Sequence, residues 1–247
     1  ADLIIEKQIP RIVIGCQDPF SEVAGRGIQK LRDAGREVTV GILEKECQSL
    51  IRRFITFNTL HRPFITLKWA ESADRFIDIE RTSGMPVILS SPLTSMLVHK
   101  KRAEADAIMV GRRTALLDNP SLTVRNWYGH NPTRVVLDRT LSLPNDLQIF
   151  DGNVPTLVFT EKKQPARTNI TYISIDFNHN PLEQIMEVLY QQKIQSLLVE
   201  GGSQLLQSFI NDELWDEAYI EKCPSRLHSG VKAPQMNNNF SYSIEEH

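Results

Sequence analysis

The stretch Ser196–Phe209, "SLLVEGGSQLLQSF", decides the fold of this chain. An apolar run ends in Glu200, two glycines follow, and apolar residues then recur at the three- and four-residue spacing of a helix. The glycines could make a simple strand-to-helix turn. They could also place the amides of a helix N-terminus, with about half a positive charge, against an anion. Spacing alone leaves both interpretations open, because G-G-S-x-L-L is not the dinucleotide fingerprint G-x-G-x-x-G.

Strand-like and helix-like segments alternate along the rest of the chain. A good N-cap, Ser91, precedes Pro92 and predicts a helix whose apolar stripe is Leu93, Leu97 and Val98. The apolar runs favour an α/β protein with a largely parallel central sheet covered on both faces. The predicted strands are "RIVIG", "EVTVGIL", "HRPFITLKWAES", "DAIMVG", "TRVVLD", "TLVFT", "TYISI", "SLLVE" and, as the last, "EAYIEKC"; further helices are predicted at "VAGRGIQKLRDAG", "EKECQSLIRRFITF", "RRTALLD", "PLEQIMEVLYQQK" and "SQLLQSFIN".

Composition excludes several classes of protein. The 247 residues are 41% hydrophobic, enough for one large or two modest domains. Three cysteines, far apart, give neither a disulfide framework nor metal-ligand spacing, which predicts a cytosolic protein with reduced thiols. No apolar run reaches membrane-spanning length, and the first residues, "ADLIIEK", do not read as a signal peptide.

Charge is unevenly distributed. The net charge of −2 does not favour binding to nucleic acid. Residues 99–139, however, hold eight Lys or Arg against four Asp or Glu, a net of +4 that leaves −6 for the rest of the chain. This zone fits a small phosphorylated ligand, with a solvated surface face as the alternative for any one of its residues.

Candidate site residues lie where predicted strands end, since a doubly wound sheet binds ligands outside the carboxyl ends of its strands. Lys68 lies in an otherwise apolar strand, so it must be paired, reach water or act on a ligand. Glu200 ends "SLLVE", Asp118 follows the turn after "DAIMVG", and Arg139 follows "RVVLD".

Several segments together resemble a known family. "LKWAES", "HKKRAEADAIMVGRRTALLDNPSLTVR", "RVVLD" and "LLVEGGSQLLQSFI" resemble the reductase half of the bifunctional riboflavin-biosynthesis deaminase–reductase. "IPRIVIGCQDPFSEVAGRGIQKLRDAGREVTVGILEKEC" is similar to the end of that family's deaminase half. The resemblance implies a dihydrofolate-reductase-like domain over residues 60–247. It implies a β-α-β-α remnant of a cytidine-deaminase-like domain over residues 1–59.

The resemblance also implies an activity: NADPH-dependent reduction of 5-amino-6-ribosylamino-pyrimidinedione 5′-phosphate to the ribitylamino form. Structural alternatives remain for single residues: a helix-end charge for Arg102, turn or cap roles for Thr114 and Asp118, and a core role for Leu122. The implied catalytic residues are Lys68 and Glu200; the implied substrate ligands are Arg102, Arg125 and Glu200; and the implied cofactor residues are Thr114, Asp118, Leu122, Arg139, Gly201, Gly202, Ser203, Gln204 and Leu205.

The chain also departs from the family pattern. The family's zinc histidine and zinc cysteines are absent, so we expect a fragment without deaminase activity and without a metal site, zinc belonging to the missing part of a bifunctional protein. The loop over residues 73–88 differs from the family pattern and puts cofactor contacts there in doubt. "GRRT" adds two arginines, and Arg112, Arg113 or Arg139 is a candidate for reading the 2′-phosphate of NADPH.

Two other functions fit the same residues. One is a dihydrofolate-reductase-like enzyme acting on another phosphorylated pyrimidine. The other is a non-catalytic assembly module that keeps the fold without turnover. The family resemblance further implies a homodimer, and the isolated cysteines predict that it is cytoplasmic.

Overall fold

A computed structural model describes residues 1–18 and 25–236. The chain divides into two compact units, Ala1–Phe64 and Ile65–His247. The predicted boundary lay between residues 59 and 60, and the interpretation of the first part as a deaminase remnant stays a prediction. The predicted fraying of the tail after Met236 lies outside the described residues. None of the helices within the described ranges is both long enough and apolar enough to span a bilayer.

The first unit contains a small parallel pair of strands with short helices. Strands β1 and β2 pair in parallel from Arg11↔Glu37 to Ile14↔Val40. The predicted helix over "EKECQSLIRRFITF" is broken at Ile51, which has φ −103° and separates two helices. Part of the predicted helix starting at Val23 lies outside the described residues, and the described helix starts at Arg26. The elements are α1 (Asp2–Glu6), β1 (Arg11–Ile14), α2 (Arg26–Asp33), β2 (Glu37–Val40), α3 (Glu44–Leu50) and α4 (Arg52–Leu60).

The second unit is built on a seven-stranded sheet. Its strand order is β10-β3-β9-β5-β6-β7-β8, and the pairs β10–β3, β9–β5, β5–β6, β6–β7 and β7–β8 are parallel. This arrangement confirms the predicted α/β class with a largely parallel sheet. The elements are β3 (Phe64–Ser72), β4 (Phe76–Asp78), α5 (Pro92–Glu104), β5 (Ala107–Val110), α6 (Arg112–Asp118), β6 (Thr133–Leu137), a 3₁₀ turn (Gln148–Phe150), β7 (Thr156–Thr160), β8 (Ile170–Ser174), α7 (Pro181–Gln191), β9 (Ser196–Gly201), α8 (Ser203–Asn211), β10 (Glu217–Cys223) and β11 (Val231–Lys232).

Two hydrophobic clusters cover the faces of this sheet. Successive strand residues point to opposite faces, so Met109 packs in the cluster with α7 and α8 while Ile108 packs in the cluster with α6. The helical spacing of apolar residues in "PLEQIMEVLYQQK" and "SQLLQSFIN" predicts one buried face for each helix, and the structure confirms it. The buried residues are Leu182, Ile185, Met186 and Leu189 in α7 and Leu205, Leu206, Phe209 and Ile210 in α8. Both faces of the sheet are therefore covered, and its carboxyl edge is left to carry polar groups.

Two predictions about elements are wrong. "EAYIEKC" is not the last strand, because β11 follows it and pairs antiparallel with β4. Strands of two and three residues are too short for an alternating pattern to reveal them. In α5, Ser91 does cap the helix by accepting from the Thr94 N–H at 3.1 Å, but Leu93 is 48% exposed and the buried residue is His99. The helix covers polar residues of the sheet, and its inner face is polar to match.

Candidate active site

Three neighbouring strands each bring a charged residue to one face of the sheet. Lys68 lies in β3, the middle strand of the three. On β10, Glu221 pairs with Ala70, two residues beyond Lys68, so both side chains share a face. The Lys68 Nζ lies 3.9 Å from the Glu221 Oε2. On the other side of β3, Glu200 sits at the end of β9.

Glu200 forms a two-pronged ion pair with Arg102 of α5. The Arg102 Nε donates to the Glu200 Oε1 at 2.8 Å, and its Nη2 donates to Oε2 at 2.6 Å. The two side chains are only 12% and 10% exposed, so solvent screens the pair little. The third nitrogen, Nη1, donates to the Thr123 carbonyl at 3.3 Å. The carboxylate that ends the buried strand therefore has a partner supplied by the helix above it.

Lys68, Arg102, Glu200 and Glu221 form a charge cluster, and the charge of each affects the others. Burial alone would raise the pKa of Glu200, but the positive charges of Arg102 and Lys68 outweigh it and hold that pKa below its usual value. Burial lowers the pKa of Lys68, against the opposing effect of the Glu200 and Glu221 carboxylates. A buried amine with a lowered pKa can give up a proton more readily than an exposed lysine.

His99 connects α5 to the loop that carries Arg125. Its Nδ1 accepts a hydrogen bond from the Arg125 backbone N–H at 3.1 Å, so that nitrogen is unprotonated. Burial, together with the nearby charges of Arg102 and Arg125, lowers the pKa of His99. In the sequence, His99 is marked only by its position three residues before Arg102, about one helical turn away. That position is equally typical of a histidine in the core.

The loop before Arg125 is held by its own polar groups and by its core residue. The Arg125 Nη1 donates to the Ser121 Oγ and, at 3.2 Å, to the Thr123 Oγ1. Between them Leu122 has φ +52° and is 2% exposed, packed in the cluster with α6. The buried Arg134 fixes the same loop by donating from Nε to the Ser121 carbonyl at 2.9 Å. Leu122 therefore anchors the loop, and its contact with a cofactor stays a prediction.

The glycine turn after β9 lets α6 approach closely. A Cβ on Gly201 would lie 3.2 Å from both Thr114 Cγ2 and Oγ1, tighter than ordinary packing allows. The Gly202 N–H donates to the Thr114 Oγ1 at 3.0 Å. The following N–H groups, from Ser203 to Leu205, belong to the first turn of α8, where helix geometry provides no partner within the helix. The stretch is therefore a tight turn that presents helix amides, and binding of an anion to those amides stays a prediction.

Asp118 is paired with an arginine that the sequence did not single out. Arg81 forms an ion pair with Asp118 at the end of α6 and donates from Nε to the Asp78 Oδ2 at 2.7 Å. Its side chain is 7% exposed. Burial opposes the charge of Arg81, but its hydrogen bonds to Asp118 and Asp78 raise its pKa further. The loop that departs from the family pattern is therefore tied to α6 through Arg81.

The remaining arginines lie further along the carboxyl edge of the sheet. Arg139 follows β6, two strands away from β9, and its Nη2 contacts the Glu161 Oε1 at 2.9 Å. Arg112 donates from Nε to the Ser142 Oγ at 2.8 Å. Arg113 donates from Nη2 to the Arg81 carbonyl at 3.1 Å. The structure thus separates these three from the cluster around Lys68.

A groove of about 330 Å³ lies beside the antiparallel pair β4–β11 and the residues that follow β11. It adjoins α8, because the Ser203 Oγ donates to the Lys232 carbonyl at 2.6 Å. The groove is lined by Asp74, Arg75, Lys232, Ala233, Gln235 and Met236. Lys68 and Glu200 do not line it, so the groove is separate from the charge cluster.

Over residues 1–18 and 25–236 no group of three or more His, Cys, Asp or Glu side chains is placed to hold a metal ion.

Comparison with known proteins identifies relatives of the whole chain. "Riboflavin biosynthesis protein RibD" of Aquifex aeolicus is 33% identical over 99% of this chain, and its counterpart in Chlamydia pneumoniae is 36% identical over 92%. The chain spans 69% and 63% of the length of these two relatives. A solved structure from Thermotoga maritima, described as a diaminohydroxyphosphoribosylaminopyrimidine deaminase/5-amino-6-(5-phosphoribosylamino)uracil reductase, is 34% identical. It superposes with a TM-score of 0.85 over 98% of this chain and 68% of that one.

These similarities confirm the family and the dihydrofolate-reductase-like fold that the sequence motifs predicted. The family model described as "RibD C-terminal domain" matches residues 63–226, which include every predicted site residue. The chain belongs to the RibD C-terminal domain family.

Proposed function

We propose that this chain reduces 5-amino-6-ribosylamino-pyrimidinedione 5′-phosphate to its ribitylamino form with NADPH. The observation that carries the proposal is Lys68, whose side chain is 15% exposed and lies between Glu200 and Glu221 on the face of the sheet covered by α5. The Thermotoga maritima relative is named for reduction of a phosphoribosylaminouracil. A protonatable group buried beside carboxylates suits a reduction in which a proton must reach a developing anion.

The residues at the β9–α8 turn fit a phosphate-bearing cofactor. The glycines leave no Cβ in the space beside Thr114, and the helix amides after Gly202 point where an anion would be stabilised. When bound, NADPH supplies the hydride for the reduction. Of the predicted cofactor residues, Thr114 and Gly201 to Leu205 would hold its phosphates. Asp118, anchored by Arg81, would lie at the end of α6 beside them.

Each residue of the charge cluster has a separate task. The Lys68 ammonium would donate its proton to the ring oxygen of the ribose as the bond between that oxygen and the anomeric carbon breaks, so that the anomeric carbon can accept the hydride and the freed oxygen becomes a hydroxyl of the ribityl chain. Glu200 accepts hydrogen bonds from the substrate while Arg102 holds its carboxylate in place. Arg125 binds the substrate's phosphate, since its guanidinium is bonded to hydroxyl groups and a planar fork suits phosphate. Arg102 has less freedom to bind phosphate, because Glu200 and the Thr123 carbonyl already accept from it.

The direct test is an absorbance assay. The purified chain is mixed with NADPH and the ribosylamino substrate, and oxidation of NADPH is followed together with the appearance of the ribitylamino product. Turnover by the chain and its loss in Lys68→Met are expected. A chain that binds NADPH without turning over would favour the assembly module, and turnover restricted to a different phosphorylated pyrimidine would favour the second enzyme.

The cofactor's 2′-phosphate is proposed to be read by an arginine at the carboxyl edge of the sheet. Replacing Arg112, Arg113 and Arg139 one at a time by alanine should lower the preference for NADPH over NADH at one of them, because a lost charge-assisted bond to phosphate is worth about tenfold or more. The preference is measured as the ratio of kcat/KM for the two cofactors. An unchanged ratio in all three variants would contradict the proposal that one of these arginines binds the 2′-phosphate.

Assembly and location complete the proposal. We infer a homodimer, which rests on the family resemblance, and a cytoplasmic enzyme, which rests on the three isolated cysteines. Light scattering on the purified chain gives its mass in solution, and a monomeric mass would contradict the dimer.

A further inference from the structure

Glu221 is an inward-facing carboxylate on the edge strand β10, and the proposed reaction assigns it no role. Its side chain is 17% exposed. It accepts from the Ser90 Oγ at 2.6 Å through Oε2 and from the Thr94 Oγ1 at 2.5 Å through Oε1. Thr94 lies in the first turn of α5 and Ser90 directly precedes its N-cap, so Glu221 ties the edge strand to the start of that helix. An inward charge on an edge strand can serve only to discourage strand pairing between molecules, and that is the alternative to be excluded.

The balance of charges in the cluster favours a more specific role for Glu221, which is to compensate the positive charge of Lys68. Two cations, Lys68 and Arg102, interact with Glu200, and the two-pronged bond to Arg102 already occupies that carboxylate. With Glu200 alone, the cluster would carry an uncompensated positive charge in a place that solvent barely reaches, which is costly. Glu221 supplies the second negative charge, on the opposite side of Lys68.

The other titratable groups on this face do not replace Glu221. Tyr219 is the register partner of Lys68 on β10, and the Lys101 ammonium of α5 lies 2.9 Å from the centre of its ring. His99 interacts with Glu200 and Arg102, and its Nδ1 accepts from the Arg125 N–H. Lys101 adds a positive charge to this side of the cluster, which increases the need for a carboxylate there.

We infer that Glu221 is a positioning residue for Lys68, holding the ammonium charged and in place on the face of the sheet that it shares with Glu200. The inference rests on the proposed role of Lys68 in the reduction. At 3.9 Å the two groups are further apart than a hydrogen bond, so the carboxylate attracts the ammonium without locking it. Lys68 therefore stays available to the substrate while keeping its proton.

The test is Glu221→Gln, which removes the charge and keeps an oxygen to accept from Ser90 or Thr94. The matched control is Glu217→Gln, four residues earlier on the same strand, where the carboxylate instead accepts from the Thr66 Oγ1. The pKa of Lys68 is measured directly by NMR titration of ¹³C-labelled lysine side chains, the signal being assigned by its absence from Lys68→Arg. Glu221→Gln should lower that pKa by about one unit or more, and Glu217→Gln should leave it near the wild-type value.

Enzyme kinetics provide the second measurement. A protonated Lys68 is required, so kcat/KM should fall as pH rises through the Lys68 pKa, and in Glu221→Gln this fall should begin at lower pH. Glu221→Asp, which keeps the charge, should restore most of the wild-type profile. If the Lys68 titration in Glu221→Gln matches that of the control variant, Glu221 does not hold the charge of Lys68 and the inference is overturned.

The two proposals fail in different ways. A wild-type chain that does not oxidise NADPH would contradict the proposed function, while the NMR titration would still decide whether Glu221 controls Lys68. A wild-type chain that turns over normally, with a pH profile unchanged in Glu221→Gln, would contradict the inference alone.

Discussion

Glu200 carries the negative charge that pairs with Arg102, and we propose that it also binds the substrate. Glu200→Gln keeps the shape of the side chain and removes the charge that pairs with Arg102. We expect kcat to fall about ten- to a hundredfold, since hydrogen bonds to charged groups contribute about 1.5–3 kcal/mol. The dissociation constant for NADPH should change much less, because the cofactor's phosphates are proposed to bind at the α8 turn.

Steady-state kinetics and a fluorescence titration with NADPH measure the two effects separately. The control is Glu187→Gln on α7, where the carboxylate accepts from the exposed Gln191. Equal losses in turnover and NADPH binding would count against the separate role of Glu200.

The sequence identified some of the site residues and missed others for physical reasons. Lys68 and Glu200 stood out because charges at the end of apolar strands need a reason to be there. His99, Arg81 and Glu221 did not stand out, since each becomes informative only through a partner far away in the sequence. Glu221, for example, reads as the outward polar residue of an edge strand until the register with β3 places it beside Lys68.

The contact between the β9–α8 turn and α6 makes a prediction at the scale of elements. Gly201→Ala should lower stability by about 1–3 kcal/mol, because the added methyl group would overlap Thr114. In a Thr114→Ala background the same substitution should cost clearly less, since the obstructing atoms are gone. Urea unfolding of the wild type, both single variants and the double variant measures this coupling. An identical cost of Gly201→Ala in both backgrounds would show that the turn, and not the contact with α6, requires glycine.

Elements with a long apolar pattern were predictable and short or polar ones were not. The buried residues of α7 and α8 follow directly from their spacing. The β4–β11 pair was missed because its strands have three and two residues. For α5 the cap at Ser91 was predicted, but the buried face was not, because the helix packs on a charged part of the sheet and buries His99 instead of Leu93.

At the scale of the whole molecule, acid should destabilise the fold through a few bonded carboxylates. A hydrogen bond from Ser72 holds the pKa of Asp74 at about 2, and one from Arg134 holds that of Asp151 at about 2. A carboxyl whose folded pKa is depressed stabilises the protein above its unfolded pKa of about 3.9, and this contribution is lost as pH falls towards 2. The melting temperature should therefore drop steeply between about pH 4 and pH 2.

Asp74→Asn and Asp151→Asn should each lower the melting temperature at pH 7 and make its decline below pH 4 shallower. The control is Asp146→Asn, which removes an exposed carboxylate. Calorimetry at a series of pH values measures the effect, and a decline as steep as in the wild type would contradict the assigned role.

His99 acts in the same direction at higher pH: its lowered pKa means that stability falls as pH drops below about 6.5.

The strand order also constrains when the charge cluster can assemble during synthesis. Strand β3 lies between β10 and β9, and Ile65 at its start is bonded to Asp216, 151 residues later in the chain. At about 5–20 residues per second, a ribosome needs on the order of ten seconds to supply those partners. For most of that interval neither β9 nor β10 has been synthesised, so Lys68 lacks both neighbouring strands. The buried ion pairs of the site must therefore be among the last contacts formed on the ribosome, and early folding must rely on the strands from β5 to β8.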